Sequence, residues 1–277
     1  MRTCTLLATL AVAIFTADTL EAQRRGGNNR SRWRRPAEIT TRVGAYFTET
    51  DAPKTDGNKV ANLNTIDLVR AAASAGQVTM LYLHNSEADR NVVRQFENLL
   101  FRADTLGDVL GIKLRMFHCG QIDISKSPAM KARYGKDVPM FVAFDKTGKE
   151  LPEVSMPGYR AKASALEKLV DRASSGAFKP SLKTFAKKYA GIVGDLEAAI
   201  KAKSDGEQKS TEAENKADRK KAEKAIEKAQ KQEDKLLKAE EKLLEKIRQP
   251  ARGDTHVGGR MPRRGTQGNT GRGRNGG

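Results

Sequence analysis

The fold of this chain is decided by the apolar run VTMLYLH at residues 78–84 and by the polar stretch NSEADR at residues 85–90 that follows it. A short apolar run that ends in polar residues is typical of a buried strand. Beyond it, apolar side chains recur at helical spacing, at Val92, Val93, Phe96, Leu99 and Leu100. The sequence therefore predicts a strand over 78–84 and a helix over 87–103.

Strands and helices continue to alternate on both sides of this unit. The further predicted elements are a short strand within 39–47, a helix from Asn64, a strand within 112–122 centred on 113–119, a helix over 127–134, a hairpin of 138–144 with 150–156, and a helix over 161–173. Such an order predicts an α/β domain with a sheet covered on both faces, and the hairpin predicts one antiparallel edge.

This order, together with the strand opening Asp137-Val138-Pro139, resembles the thioredoxin family over about residues 62–175. The resemblance implies a thioredoxin-like three-layer sandwich. Where the family carries Cys-x-x-Cys, this chain has Ser86-Glu87-Ala88-Asp89, so Ser86 and Asp89 stand at the two redox positions. The family's buried carboxylate, six residues before the first cysteine, is replaced by Met80. We therefore expect a thioredoxin-like protein that is not an enzyme, with no catalytic residue and no cofactor.

Val138 and Pro139 are the candidate peptide-binding residues. In thioredoxins the bond before this proline is cis, and the exposed backbone there pairs with an extended substrate peptide. The resemblance therefore implies that a redox-inactive domain could still hold a peptide by strand addition. The alternative is a proline that serves only the geometry of the fold.

Ser86 has two interpretations. Lying beside His84 at a helix start, it could act as a nucleophile, but we favour a helix N-cap, because serine is a preferred capping residue. No Ser/His/Asp arrangement emerges from the sequence. The three histidines show no metal-ligand spacing, so no metal is expected (His84, His118 and His256).

Residues 1–22 resemble a secretory signal peptide, with Arg2, an apolar stretch and Ala22 before Gln23. We therefore expect an exported protein in the periplasm, cell envelope or extracellular space, and no transmembrane segment in the mature chain. Cys4 would leave with the signal, so Cys119 would be the single free thiol. It either packs in the core or forms a mixed disulfide with a partner.

The net charge of +17 is concentrated at the two ends. A basic, flexible lead is predicted over 23–61 and a disordered Arg/Gly-rich tail over 249–277. Arginine-rich tails favour anionic partners, such as an acidic polymer or a membrane surface.

Residues 180–248 predict a long charged helical extension. An amphipathic helix over 180–203 is followed by a segment of alternating charge, typical of a solvated helix. A heptad-like seam runs along the second part but is interrupted by Glu233 and Glu240, so a coiled coil fits only the last three turns. We predict a single or weakly paired helical stalk.

Together these features favour an exported, non-catalytic thioredoxin-like protein that holds a protein or extended peptide, with a stalk as spacer and basic tails on an anionic surface. One alternative is a thiol-disulfide oxidoreductase-related protein acting through Cys119. The other is a cytoplasmic nucleic-acid-binding protein, if the signal is not processed.

Overall fold

The computed structural model describes residues 35–53, 55–56, 59–60, 62–100, 105–155, 162–247, 250 and 255–256. The predicted signal peptide, the arginines before residue 35 and the tail from residue 257 lie outside these residues. None of the helices in the described ranges is long and apolar enough to cross a bilayer.

The described chain begins with helix α1 and strand β1. The elements up to the first long strand are α1 (Ala37–Val43), β1 (Tyr46–Glu49), a small hairpin of β2 (Thr55–Asp56) and β3 (Lys59–Val60), a 3₁₀ turn at Leu63–Thr65, and α2 (Asp67–Ser74). The predicted strand within 39–47 is therefore wrong over its first half, which is helical. The predicted flexible lead is wrong for this part too, because Ile39 and Phe47 are fully buried.

The middle of the chain supplies the parallel part of the sheet. Its elements are β4 (Thr79–His84), α3 (Arg90–Glu97), α4 (Thr105–Leu114), β5 (His118–Asp123), a 3₁₀ turn at Ile124–Lys126, and α5 (Pro128–Tyr134). The strand centred on 113–119 was wrongly placed, because residues up to Leu114 are helical. Helix α4 is in contact with α1, α6 (Ala163–Ala173) and α7 (Leu182–Glu212), so it is apolar on several sides and lacks a clear helical period.

The last part contains a hairpin and three helices. After β6 (Met140–Phe144) and β7 (Val154–Ser155) come α6, α7, α8 (Lys216–Leu244) and a final short strand β8 (Thr255–His256). The hairpin partner of β6 is shorter than predicted, with two residues in β7 and one isolated bridge between Phe144 and Glu150.

The strands form a mixed sheet of five, in the order β7-β6-β4-β5-β1, and β8 extends it at the outer edge of β1. Strand β5 runs parallel to β4 and to β1, whereas β6 and β7 are antiparallel to their neighbours. This confirms a mixed α/β architecture with an antiparallel edge.

Two apolar clusters lie on opposite faces of the sheet, since alternate residues of β4 and β6 point to opposite sides. One cluster contains Met80, Tyr82 and Phe141 with side chains of α1, α4, α6 and α7. The other contains Leu81, Leu83 and Val142 with side chains of α2 and α5. The prediction of a sheet covered on both faces is thus confirmed.

The charged extension is a helical hairpin and is packed against the domain. Helices α7 and α8 lie against each other, and Gly206 allows a close approach, since a Cβ there would be 2.9 Å from Ile226 Cγ1. Phe185, Tyr189 and Leu196 of α7 are buried in the larger cluster. The predicted single or weakly paired stalk is therefore wrong for these residues.

Glu233 and Glu240, which were expected to interrupt the seam, each face a cation on another element, although Glu233 Oε2 is buried without a hydrogen-bond partner among the described residues. Lys203 Nζ lies 3.6 Å from Glu233. Glu240 is buried and accepts hydrogen bonds from Arg42 of α1 at 3.0 Å and from the Tyr189 hydroxyl at 2.6 Å. These contacts fix the hairpin to the start of the described chain.

Two further ionic clusters hold helices together. The Arg35 guanidinium donates to both carboxylate oxygens of Asp108 on α4, at 2.8 and 2.6 Å, and to Glu197 on α7 at 2.9 Å. Lys113 is buried, and its ammonium donates to Glu167 at 3.0 Å and to Asp171 at 2.6 Å. A buried cation of this kind is tolerated because it is fully paired.

Candidate functional site

Ser86, Val138 and Pro139 lie at one end of the sheet, by the carboxyl ends of β4 and β5, whereas Cys119 lies near the opposite end of β5. Ser86 follows β4, which ends at His84, and Asp123 ends β5. In open α/β sheets this is the edge where ligands bind. It is therefore the candidate functional site.

Ser86 is part of a hydrogen-bonded cluster with Asp123 and Ser125. Its backbone N–H donates to Asp123 Oδ1 at 3.1 Å, and its hydroxyl lies 2.9 Å from the Ser125 hydroxyl. Ser125 also donates to Asp123 Oδ1, from its N–H at 3.0 Å and its hydroxyl at 2.8 Å. The cluster joins the two strand ends through one carboxylate.

The charge of Asp123 is stabilised by this cluster. Partial burial alone would raise the pKa of Asp123, but the hydrogen bonds from Ser86 and Ser125 outweigh it and lower the pKa to about 2. A carboxylate with so low a pKa is a poor general base. The nearest carboxylate to Ser86 is thus unsuited to activate it as a nucleophile.

Asp89, at the second redox position, is a helix cap. Its carboxylate accepts a hydrogen bond from the Asn91 N–H at 2.8 Å, and α3 begins at the next residue. The prediction that Ser86 caps this helix is therefore wrong. Aspartate and serine are equally good caps, and the chain takes three more residues to leave the strand before the helix begins.

The carboxylate missing at Met80 has no replacement in β4, but a buried carboxylate does lie close by. Met80 is fully buried in the core. Glu97 of α3 is also buried and accepts a hydrogen bond from the Tyr82 hydroxyl at 2.9 Å. Burial raises the pKa of Glu97 even though the Tyr82 hydrogen bond opposes this. A buried tyrosine hydroxyl needs a polar partner. The tyrosine in the apolar run 78–84 is therefore the sequence feature that could have indicated a buried carboxylate.

His84 closes the polar end of β4. Its ring stacks on Tyr82, with centroids 5.3 Å apart. Burial lowers the pKa of His84, while the nearby Asp123 charge acts in the opposite direction. Among the described residues, no group of His, Cys, Asp and Glu side chains is arranged to hold a metal ion.

The bond between Val138 and Pro139 is cis, as the resemblance implies. Pro139 is buried and Val138 is half-buried. The Val138 N–H donates to the Tyr134 carbonyl at 3.1 Å. A peptide lying beside this residue could therefore pair only with the Val138 carbonyl.

Cys119 lies in β5 and is buried. Its thiol donates to the Leu114 carbonyl at 3.3 Å, and burial raises its pKa well above the usual thiol range. A thiol that is buried and protonated is a poor nucleophile. The position suits packing rather than exchange with a partner.

The chain was compared with protein-family models, with curated proteins and with solved structures. No family model, curated protein or solved structure matches it.

Proposed function

We propose that this chain is an exported, non-catalytic thioredoxin-like protein that holds a protein or extended peptide, with basic tails that bind an anionic surface. The observation that carries the proposal is the state of the two redox positions. Ser86 is tied to Asp123 and Ser125, and Asp89 caps α3. Both side chains make hydrogen bonds that hold the local structure, which supports a non-catalytic role.

The single cysteine of the described residues supports the same proposal. Cys119 is buried and its thiol is protonated at neutral pH, which disfavours the alternative in which it exchanges with a partner disulfide.

The binding surface in this proposal is the sheet end that carries Ser86 and Val138. The Val138 carbonyl can accept a backbone hydrogen bond from an extended peptide. Val92, on α3, is 41% exposed and is one of two large apolar side chains exposed in the described residues. It can add an apolar contact to a partner that reaches α3.

The helical hairpin has a different role from the spacer that its composition suggested. Arg42 and Tyr189 bind Glu240, and Arg35 binds Glu197, so α7 and α8 are fixed to the α/β domain. We assign the hairpin to the core of the protein and leave the attachment to an anionic surface to the arginine-rich tails.

The absence of catalysis is tested by putting cysteines at the two redox positions. The Ser86→Cys/Asp89→Cys variant should reduce insulin disulfides in the presence of dithiothreitol, because residue 89 caps α3 and a helix start lowers the pKa of a cysteine thiol there. The unaltered chain should not. A Lys146→Cys/Lys149→Cys variant is the matched control, with two exposed cysteines at the same spacing in the turn after β6.

Two results would contradict the proposal. Disulfide reduction by the unaltered chain would make it an enzyme. A folded but inactive Ser86→Cys/Asp89→Cys variant would remove the thioredoxin-like assignment.

Peptide binding is tested by selecting displayed extended peptides on the full-length mature chain. Val138→Lys should weaken the affinity for the selected peptides by about tenfold or more, since a charged side chain replaces a half-buried apolar one. Lys146→Glu, in the turn after β6, should leave the affinity unchanged. Equal affinities for the two variants would place the binding surface elsewhere.

A further inference from the structure

The end of α8 presents an apolar floor with acidic sides. A cavity of about 850 Å³ opens on this part of the helix, with Leu237 and Leu244 as its apolar residues. Leu237 is 37% exposed. Asp234, Glu241 and Glu245 also line the cavity, with Lys238 as the one cation among its described lining residues. We call this surface the α8 groove.

We propose that the α8 groove is the docking site of residues 260–264 of the same chain, whose sequence is RMPRR. Met261 supplies an apolar side chain for Leu237 and Leu244, since burying such surfaces together is favourable. Of the four carboxylates that line the groove, Glu240 is already bound by Arg42 and Tyr189. The three arginines of the segment match the other three in number and can each donate charge-assisted hydrogen bonds.

The position of β8 brings this segment within reach. His256, the last residue of β8, pairs with Tyr46 of β1. Four residues before Tyr46, Arg42 binds Glu240, which also lines the groove. Four residues span at most about 14 Å, and the five residues from His256 to Met261 span at most about 17 Å. The segment can thus reach the helix end that it would bind.

The groove favours this occupant over two others. A second copy of the chain would bury only Leu237 and Leu244 as apolar residues, far less than the roughly 800 Å² per partner of a stable interface. An anionic ligand would meet four carboxylates and one lysine, and would therefore be repelled. The docking goes beyond the proposed function and does not depend on it.

The proposal is tested by the rates of tryptic cleavage in the tail of the full-length mature chain, followed by intact mass. In dilute buffer, cleavage after Arg264 should be about fivefold slower than cleavage after Arg272, which lies outside the docked segment. In the Glu241→Lys/Glu245→Lys variant the two rates should become equal. High salt should have the same effect, because it screens exposed charges.

The matched control is Glu223→Lys/Glu227→Lys, which makes the same charge change on the exposed part of α8 outside the groove. It should keep the fivefold difference. Equal rates in the unaltered chain, or loss of the difference in the control, would overturn the proposal.

The occupant is identified by placing a photo-reactive benzophenone amino acid at position 261. Cross-links to residues 237–244 of the same chain are expected. Cross-links between two chains would overturn the proposal and show that a second copy fills the groove.

Discussion

One carboxylate, Asp123, holds together the loops that follow β4 and β5. Three hydrogen bonds from Ser86 and Ser125 converge on its Oδ1 atom. The serines satisfy the carboxylate, so this cluster stabilises the ends of both strands.

The low pKa of Asp123 predicts an acid-sensitive contribution to stability. The pKa is about 2 in the folded protein against 3.8 for the unperturbed group, so the contribution is present at neutral pH and lost as pH falls from about 4 to about 2. Because Asp123 is partly exposed, solvent screening reduces it to about 1 kcal/mol. Asp123→Asn should therefore lower the free energy of unfolding by about 1 kcal/mol at pH 7 and by almost nothing near pH 2.

Urea denaturation across this pH range measures the difference. Asp137→Asn, which changes an exposed carboxylate in the loop before β6, is the control and should have no effect. A constant difference between Asp123→Asn and the unaltered chain at all pH values would contradict the assigned cause.

At the scale of elements, α1 and α4 approach so closely that only glycine fits between them. A Cβ added to Gly111 would lie 1.8 Å from the Val43 carbonyl oxygen. Gly111→Ala should therefore destabilise the protein by about 2 kcal/mol or more, because α1 has to move away from α4.

The control for this prediction is a helical glycine in open space. No heavy atom lies within 4 Å of a Cβ added to Gly191 on α7. Gly191→Ala should stabilise the protein by up to about 1 kcal/mol, through helix propensity alone. Thermal unfolding of both variants separates the two effects, and a neutral Gly111→Ala would show that the helices are not in close contact.

The local pattern of apolar and polar residues was enough to predict the central strands of the sheet. The strand at 78–84 and the hairpin of 138–144 have short apolar runs bounded by polar or turn residues, and the structure has β4 and β6 there. Sequence alone does not predict α4, because Gly111 and Lys113 interrupt its apolar segment. The close approach of α1 explains the glycine, and the ion pair with Glu167 of α6 explains the buried lysine.

The candidate site was predictable in its position and only partly in its bonding. The spacing from the strand placed Ser86 and Asp89 at the sheet end. The Asp123 cluster joins residues 37 apart in the chain, and the Arg42–Glu240 pair joins residues 198 apart. Pairings at such separations leave no local pattern, so sequence alone indicates that Glu233 and Glu240 interrupt the seam.

For the whole molecule, the hairpin of α7 and α8 completes the hydrophobic core. Phe185 and Tyr189 are fully buried against the same cluster as Ile39 and Leu110. A chain that ends at residue 178 would expose this surface. We expect it to lose its cooperative unfolding transition and its near-ultraviolet circular dichroism, although residues 62–175 hold most of the sheet.

A chain that ends at residue 250 is the control, because it keeps both helices. It should unfold cooperatively at a temperature close to that of the full chain. If the chain ending at residue 178 unfolds just as cooperatively, the α/β part is an independent domain and the hairpin is an appendage.

Strand β8 also determines how the molecule would respond to force. Among the described residues, two pairs join it to β1, Tyr46 with His256 and Phe47 with Thr255. In salt high enough to release residues 260–264 from the α8 groove, a tail held on a surface would pull at His256 and separate these pairs one after the other, while the central strands carry little tension. The tether would therefore lengthen first by the release of this short strand, before the rest of the sheet comes under strain. Single-molecule pulling from residue 277 would record that release as a small first step at low force, and a first step that unfolds the whole sheet would contradict it.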